Sequence, residues 1–240
     1  MSAGCGADRT HDFITSSFEL RRVRCALGWA CWKTYLARPE TDATHRLAMT
    51  QLGNGLFYAQ HHEDALIVGE AELSMMKRLS MSAYQMLIAQ GNLASTYHKL
   101  GRLEEARNLY HDVYSGELKL YGAEHESTLL AANNYASALN DLKDFKEAKA
   151  LLRKTIPIAR RVLGEGNELG LGMRMNYAVA LYRDPSATLD DLREAVTTLE
   201  NTERIARRVF GGAHPLTRSI ECDVRDARAA LRARKTPSGK

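Results

Sequence analysis

Asn133-Asn134-Tyr135-Ala136-Ser137-Ala138-Leu139-Asn140, followed by Asp141-Leu142-Lys143-Asp144-Phe145-Lys146-Glu147-Ala148, reads as one helical face, a polar break and the opening of a second helix. Tyr135, Ala136 and Leu139 stand at i, i+1 and i+4, so they share one side of a helix. Asn134-Tyr135-Ala136 recurs at an interval of 42 residues on either side, as Asn92-Leu93-Ala94 and Asn176-Tyr177-Ala178. A degenerate copy, Gln51-Leu52-Gly53, precedes the first of these by 41 residues. Self-similarity at a period of ~20–50 residues marks stacked supersecondary units. In such stacks each unit touches its neighbours, and function belongs to a continuous surface.

Working outward, Ala106 and Ala148 follow Ala94 and Ala136 by twelve residues, as Ala65 follows Gly53. A small residue on each of two helices is what close antiparallel packing requires, because larger side chains would separate the axes. Between the two lie short polar breaks, Ala59-Gln60-His61, Leu100-Gly101-Arg102 and Leu142-Lys143-Asp144. Acidic pairs, Glu63-Asp64 and Glu104-Glu105, open second helices where the helix dipole favours them. Gly122, Gly164 and Gly211, with basic residues just before them, are stop signals, and Pro215 suits the first turn of the next helix. Two departures stand out. Five extra residues fall in the Arg183-Asp184-Pro185-Ser186-Ala187-Thr188 stretch, which predicts a longer surface loop, and Pro157 lies inside a second helix, which predicts a kink.

The pattern predicts an all-α, right-handed α-solenoid of antiparallel helix pairs, with about four repeats and terminal helices. Its expected divisions are a flexible segment at 1–11, a capping helix at 12–38, four repeats over 39–211, a second capping helix at 212–234 and a disordered tail at 235–240. Phe18, Val23, Cys25, Leu27, Trp29 and Trp32 supply the apolar side of the first cap. Leu216, Ile220, Val224, Ala227 and Leu231 supply that of the second.

Composition bounds the function classes. A hydrophobic share of 45%, a charged share of 26% and a net charge of +4 are ordinary for a globular chain. No apolar run approaches the ~18–20 residues of a membrane span, and the first ~30 residues lack the apolar core of a signal peptide. Four cysteines with no Cys-x-x-Cys spacing fit free thiols in a reducing compartment, so a cytoplasmic location is expected.

The copies resemble tetratricopeptide repeats, and the 42-residue unit is similar to the longer form found in kinesin light chains. The resemblance rests on Leu-Tyr-Gly-Ala-Glu-His-Glu-Ser-Thr (120–128), on Val-Phe-Gly-Gly-Ala-His-Pro-Leu-Thr (209–217), and on Asn133 to Ala136 with Asp144 to Ala148. It covers roughly residues 40–233, and is weakest in the first copy, where Leu79-Ser80-Met81 replaces the glycine linker. The resemblance implies a concave groove along the first helices in which side-chain amides hold a peptide backbone. By it, Asn54, Asn92, Ser95, Asn133, Asn134, Ser137, Asn140 and Asn176 are peptide-binding candidates. The competing assignment for the asparagines is repeat register. Some relatives clamp C-terminal carboxylates; two asparagine slots of that pattern fall on Asn54 and Asn92, but its cationic slots fall on Thr50, Leu130 and Asn134, which argues against such a clamp.

No catalytic constellation, cofactor motif or metal-ligand spacing accompanies the repeat. Adjacent His61 and His62 diverge on a helix, and His45, His98 and His111 read as surface or linker residues. Trp29 and Trp32 read as the anchor of the cap. Arg218, Arg225, Arg228 and Arg232 form a basic stripe without interleaved aromatics, which fits a wetted face better than a nucleic-acid surface. The expectation is therefore a non-enzymatic scaffold that binds a protein or peptide, alone or within a larger complex, with no membrane and no nucleic-acid partner. A motor or cargo adaptor is the narrower alternative, and an RNA-associated repeat protein using the basic helix is the alternative from another class.

Overall fold

A computed structural model describes residues 22–235. The expected flexible segment 1–11, the start of the first cap and residues 236–240 of the tail lie outside the described residues. Among those described, every regular element is helical and no strand forms. The helices are α1 (residues 22–35), α2 (Ala43–Tyr58), α3 (His62–Arg78), α4 (Ala83–Lys99), α5 (Leu103–Tyr121), α6 (Glu126–Asp141), α7 (Phe145–Leu163), α8 (Glu168–Tyr182), α9 (Leu189–Phe210) and α10 (Pro215–Lys235). Lys235 ends a helix rather than opening a tail. Pro157 lies within α7, which continues unbroken to Leu163.

The chain forms two compact units that divide between Leu109 and Tyr110, inside α5. In the first, α3 packs on both α2 and α4, and α2 also touches α4. Leu52, Leu56 and Ala65 form its core cluster, with Cys25, Trp32, Phe57 and Val68 packed around them. α1 joins by close backbone approach. A Cβ on Gly28 would lie 2.9 Å from the Gln51 carbonyl oxygen, and one on Gly55 would lie 2.7 Å from that of Arg24. Two glycines facing each other's helices let the axes come closer than any side chain would allow.

In the second unit, α6, α8 and α10 lie side by side in one layer, while α7 and α9 pack between them on the other side. The small residues sit where the pairs meet: Ala136, Ala148, Ala178 and Ala195 are all fully buried. Leu152, Leu171, Met173, Leu181, Leu199 and Ile220 fill the space between layers.

The turns follow from the sequence. Gln60, Gly101 and Lys143 occupy the same place between the two helices of successive pairs, and each has a positive φ, of 67°, 74° and 64°. Only the second is a glycine. Between pairs, Gly122, Gly164 and Gly211 take φ of 83–88° and bond back to the preceding helix. The next helix is then capped by a side chain. His125 Nδ1 accepts from Ser127 N, Asn167 Oδ1 from Leu169 N, and His214 Nδ1 from Leu216 N. Each of these histidines stacks on the aromatic that ends the helix before it, His125 on Tyr121 at 4.5 Å and His214 on Phe210 at 4.7 Å. The aromatic–Gly–x–x–His pattern of both linkers is thus a clasp: the glycine reverses the chain, the imidazole caps the new helix, and the ring stack ties the two helices together.

The loop inserted before α9 is more tightly held than a free surface loop. Asp184 accepts from Lys149 at 2.7 Å and from Ser186, Ala187 is buried, and Thr188 opens α9 in a reciprocal capping box with Asp191. The Lys149 ammonium and Ser186 hydroxyl hold the Asp184 carboxyl at about 2, below the ordinary aspartate value.

Candidate functional site

The eight candidate side chains fall into two groups with different surroundings. In the first unit, Asn54 of α2 and Asn92 and Ser95 of α4 line a cavity of about 110 Å³. Its small-residue walls, Gly53, Ala65 and Gly69, create the space, and Phe57 and Leu93 give it apolar surface. Asn54 and Asn92 are half-buried, and neither amide has a hydrogen-bond partner among the described residues. Ser95 turns its hydroxyl back to the Gly91 carbonyl at 3.0 Å.

Glu72 of α3 completes this cavity and was not among the sequence candidates. Its side chain is 4% exposed and its Oε1 receives a short hydrogen bond from the Thr50 hydroxyl. Burial pushes the Glu72 carboxyl up from the usual glutamate range, and the Thr50 contact opposes this more weakly. Its signal was legible in principle. Ala65, Gly69, Glu72 and Met76 recur at helical spacing, so a carboxylate stands in the inward stripe of α3.

In the second unit the asparagines face one another. Asn140 is buried and its Nδ2 donates to the Asn176 carbonyl at 2.9 Å, while Asn176 Nδ2 donates to Asn133 Oδ1 at 3.0 Å. Both bonds cross from α6 to α8, so they fix the register of neighbouring first helices. Asn134 and Ser137 are half-buried on α6 and stand outside this network.

Tyrosine–carboxylate pairs buckle the helix pairs. Tyr135 donates to Glu147 at 2.5 Å and Tyr177 to Glu194 at 2.8 Å, each acid preceding the packing alanine of the partner helix. Tyr182 of α8 donates to buried Asp223 of α10 at 2.8 Å, and burial raises both groups. In the first unit Tyr97 donates to Glu70 at 2.5 Å, and burial together with that carboxylate pushes its hydroxyl up to about 12.

Other sequence readings change. His45 is buried and meets Trp32 edge-on at 5.3 Å, so it belongs to the interior rather than to a surface or linker. Trp32 packs on the core of the first unit while Trp29 remains 44% exposed, so only one of the pair anchors α1. Along α10, both Nε and Nη2 of Arg228 bond Glu200, and Arg225 lies against Cys222, so the arginine stripe is partly engaged within the chain. Among the described residues no group of three or more His, Cys, Asp or Glu could hold a metal ion, and no helix is long and apolar enough to cross a membrane.

Comparison with known proteins agrees with this geometry. Residues 85–164, from α4 to the end of α7, match the tetratricopeptide repeat. No curated protein matches the sequence. Among solved structures, the chain is similar to a Podosopora anserina protein named for kinesin light chain and its nearly identical TPR-like repeats, at 20% identity and a TM-score of 0.63, over 84% of this chain and 92% of that one. It is also similar to BtubC (BKLC) from P. vanneervenii, at 15% identity and a TM-score of 0.63, over 93% and 95% of the two chains. Residues 85–164 thus carry the tetratricopeptide repeat, within an all-α solenoid of helix pairs whose fold is similar to that of the kinesin-light-chain-like repeat structures.

Proposed function

We propose that this protein is a non-enzymatic scaffold that holds an extended segment of a protein partner against its first helices, with Asn54, Asn92 and Ser95 at the contact. The observation that carries this reading is the pair of half-buried amides, Asn54 and Asn92, that converge on one cavity with no protein partner for their hydrogen bonds. A buried or half-buried amide without a partner loses its hydration for no return, whereas a bound peptide backbone supplies both the donor and the acceptor it lacks. Asn140 has a different task, since its donor is already used on Asn176. Asn133 and Asn176 share that register role, and Asn134 and Ser137 of the second unit are peptide-contact candidates in their own right. Service as a motor or cargo adaptor is a narrower form of the same reading.

A pull-down from cell extract with the full chain tests it, comparing wild type, Asn54→Ala/Asn92→Ala and Asn140→Ala, each checked for helicity by circular dichroism. At about 0.5–1.5 kcal/mol per amide, the double substitution weakens capture about tenfold or more. An unchanged set of captured proteins would sink the assignment. Capture that disappears on ribonuclease treatment or falls steeply with salt would favour the RNA reading instead.

A further inference from the structure

The cavity between α2, α3 and α4 is too small for a free metabolite. At about 110 Å³ it falls well below the ~300 Å³ at which drug-sized ligands are enclosed, yet it exceeds the ~30 Å³ share of a single water several-fold. One side chain is the natural occupant. What its walls offer that side chain is uneven: Asn54, Asn92, Thr50 and Thr96 are polar and neutral, Phe57 and Leu93 are apolar, and Glu72 is the one carboxylate, with no Lys, Arg or His among the lining residues.

Glu72 is also incompletely used. Oε1 meets Thr50, but Oε2 has no hydrogen-bond partner among the described residues. Thr50 is over-subscribed, because its single hydroxyl hydrogen faces both Glu72 and the Arg46 carbonyl at 3.2 Å. A proton on Glu72 resolves the conflict, since the acid then donates to Thr50 and Thr50 donates to Arg46. An arriving cation shifts the balance: it favours release of that proton to solvent and pairs with the carboxylate through Oε2, leaving Oε1 to accept from Thr50.

We propose that this cavity is a pocket for one Lys or Arg side chain of the bound segment, with Glu72 as its counter-ion and the Asn54 and Asn92 amides holding the backbone on either side. The pocket rests on the scaffold reading above and gives it a specificity: the partner's segment is basic at one fixed position. A segment bearing Asp or Glu there would set like charge against Glu72, or bury a second acid beside a neutral one, with no cation within the cavity to offset either.

Binding of a cation is then linked to ionisation of Glu72. Burial disfavours the carboxylate when the pocket is empty and the cation favours it when full, so affinity rises as pH rises through the raised Glu72 value. The ionisable groups around it are few. α2 contributes Tyr58 to the lining, with Arg24 of α1 lying over that ring at 4.5 Å, α4 contributes none, and His62 of α3 itself packs against Phe57.

Panning a phage-displayed library of random dodecapeptides against the full chain tests the pocket. The expected result is recovery of peptides that share one Lys or Arg at a fixed position. Replacing that residue by Gln in a synthetic peptide, a change that cannot disturb the protein's fold, weakens binding by an order of magnitude. Glu72→Gln, nearly isosteric, abolishes both that preference and the gain in affinity between about pH 5 and pH 8. Recovered peptides without a shared basic residue, or with a shared acidic one, overturn the pocket while leaving the scaffold reading intact. Failure to recover any peptide whose binding depends on Asn54 and Asn92 overturns both.

Discussion

Lys143 holds a left-handed conformation that an L side chain reaches only at a cost of about 1–2 kcal/mol, and Gln60 does the same in the first pair. Gly101 shows the relaxed solution at the equivalent place. Lys143→Gly relieves the strain, at the expense of some extra freedom in the unfolded chain, so a net stabilisation of about 0.5–1 kcal/mol is expected. A urea titration that gives an unchanged or lower midpoint for the variant would refute this. Much at this scale was legible beforehand, since the polar breaks around residues 60, 101 and 143 mark the turns. Glu72 was harder to see. A carboxylate in an apolar stripe looks like a break in the pattern until the neighbouring helices are placed, and only then does Thr50 emerge as its partner.

Among the elements, α1 owes its position to Trp32 in the core of the first unit and to the close approach of two glycines. A methyl at residue 28 would meet the backbone of α2, which cannot swing aside as a flexible side chain does. Gly28→Ala therefore pushes α1 away from α2 and costs about 1–3 kcal/mol. Hydrogen exchange checks it: protection of the α1 amides should fall while that of α7 and α9 is kept, and equal protection in both proteins would be the contrary outcome. The helices themselves were readable because caps, glycine stops and apolar stripes agree. The approach of Gly28 to α2 was not, because a chain with 17 glycines does not announce which of them face each other. The linkers fall between these cases. Their aromatic–Gly–x–x–His signature was visible as a repeated string, and its work as cap and ring stack needed coordinates.

For the molecule as a whole, the 42-residue period predicts a solenoid of helix pairs, and the chain forms two compact units that divide inside α5. The period records how each pair is built and carries little about how strongly successive pairs adhere. In the second unit that adhesion includes the Asn140–Asn176 and Tyr182–Asp223 bonds between neighbouring first helices. Asn140→Ala removes a hydrogen bond that crosses from α6 to the Asn176 carbonyl of α8, and is expected to cost about 0.5–1.5 kcal/mol. Hydrogen exchange should show the loss in α6 and α8 and not in α2 and α3; a uniform loss, or none, would count against a register role.

The Tyr135–Glu147 and Tyr177–Glu194 pairs have both partners inside a single helix hairpin. A duplication of that stretch of gene copies the lock together with its keeper, so a new unit arrives already closed. The asparagine and Tyr182–Asp223 bonds have one partner in each of two units, and must be re-established by substitution after every such event. Arrays of this kind can therefore lengthen readily, while their joints diverge.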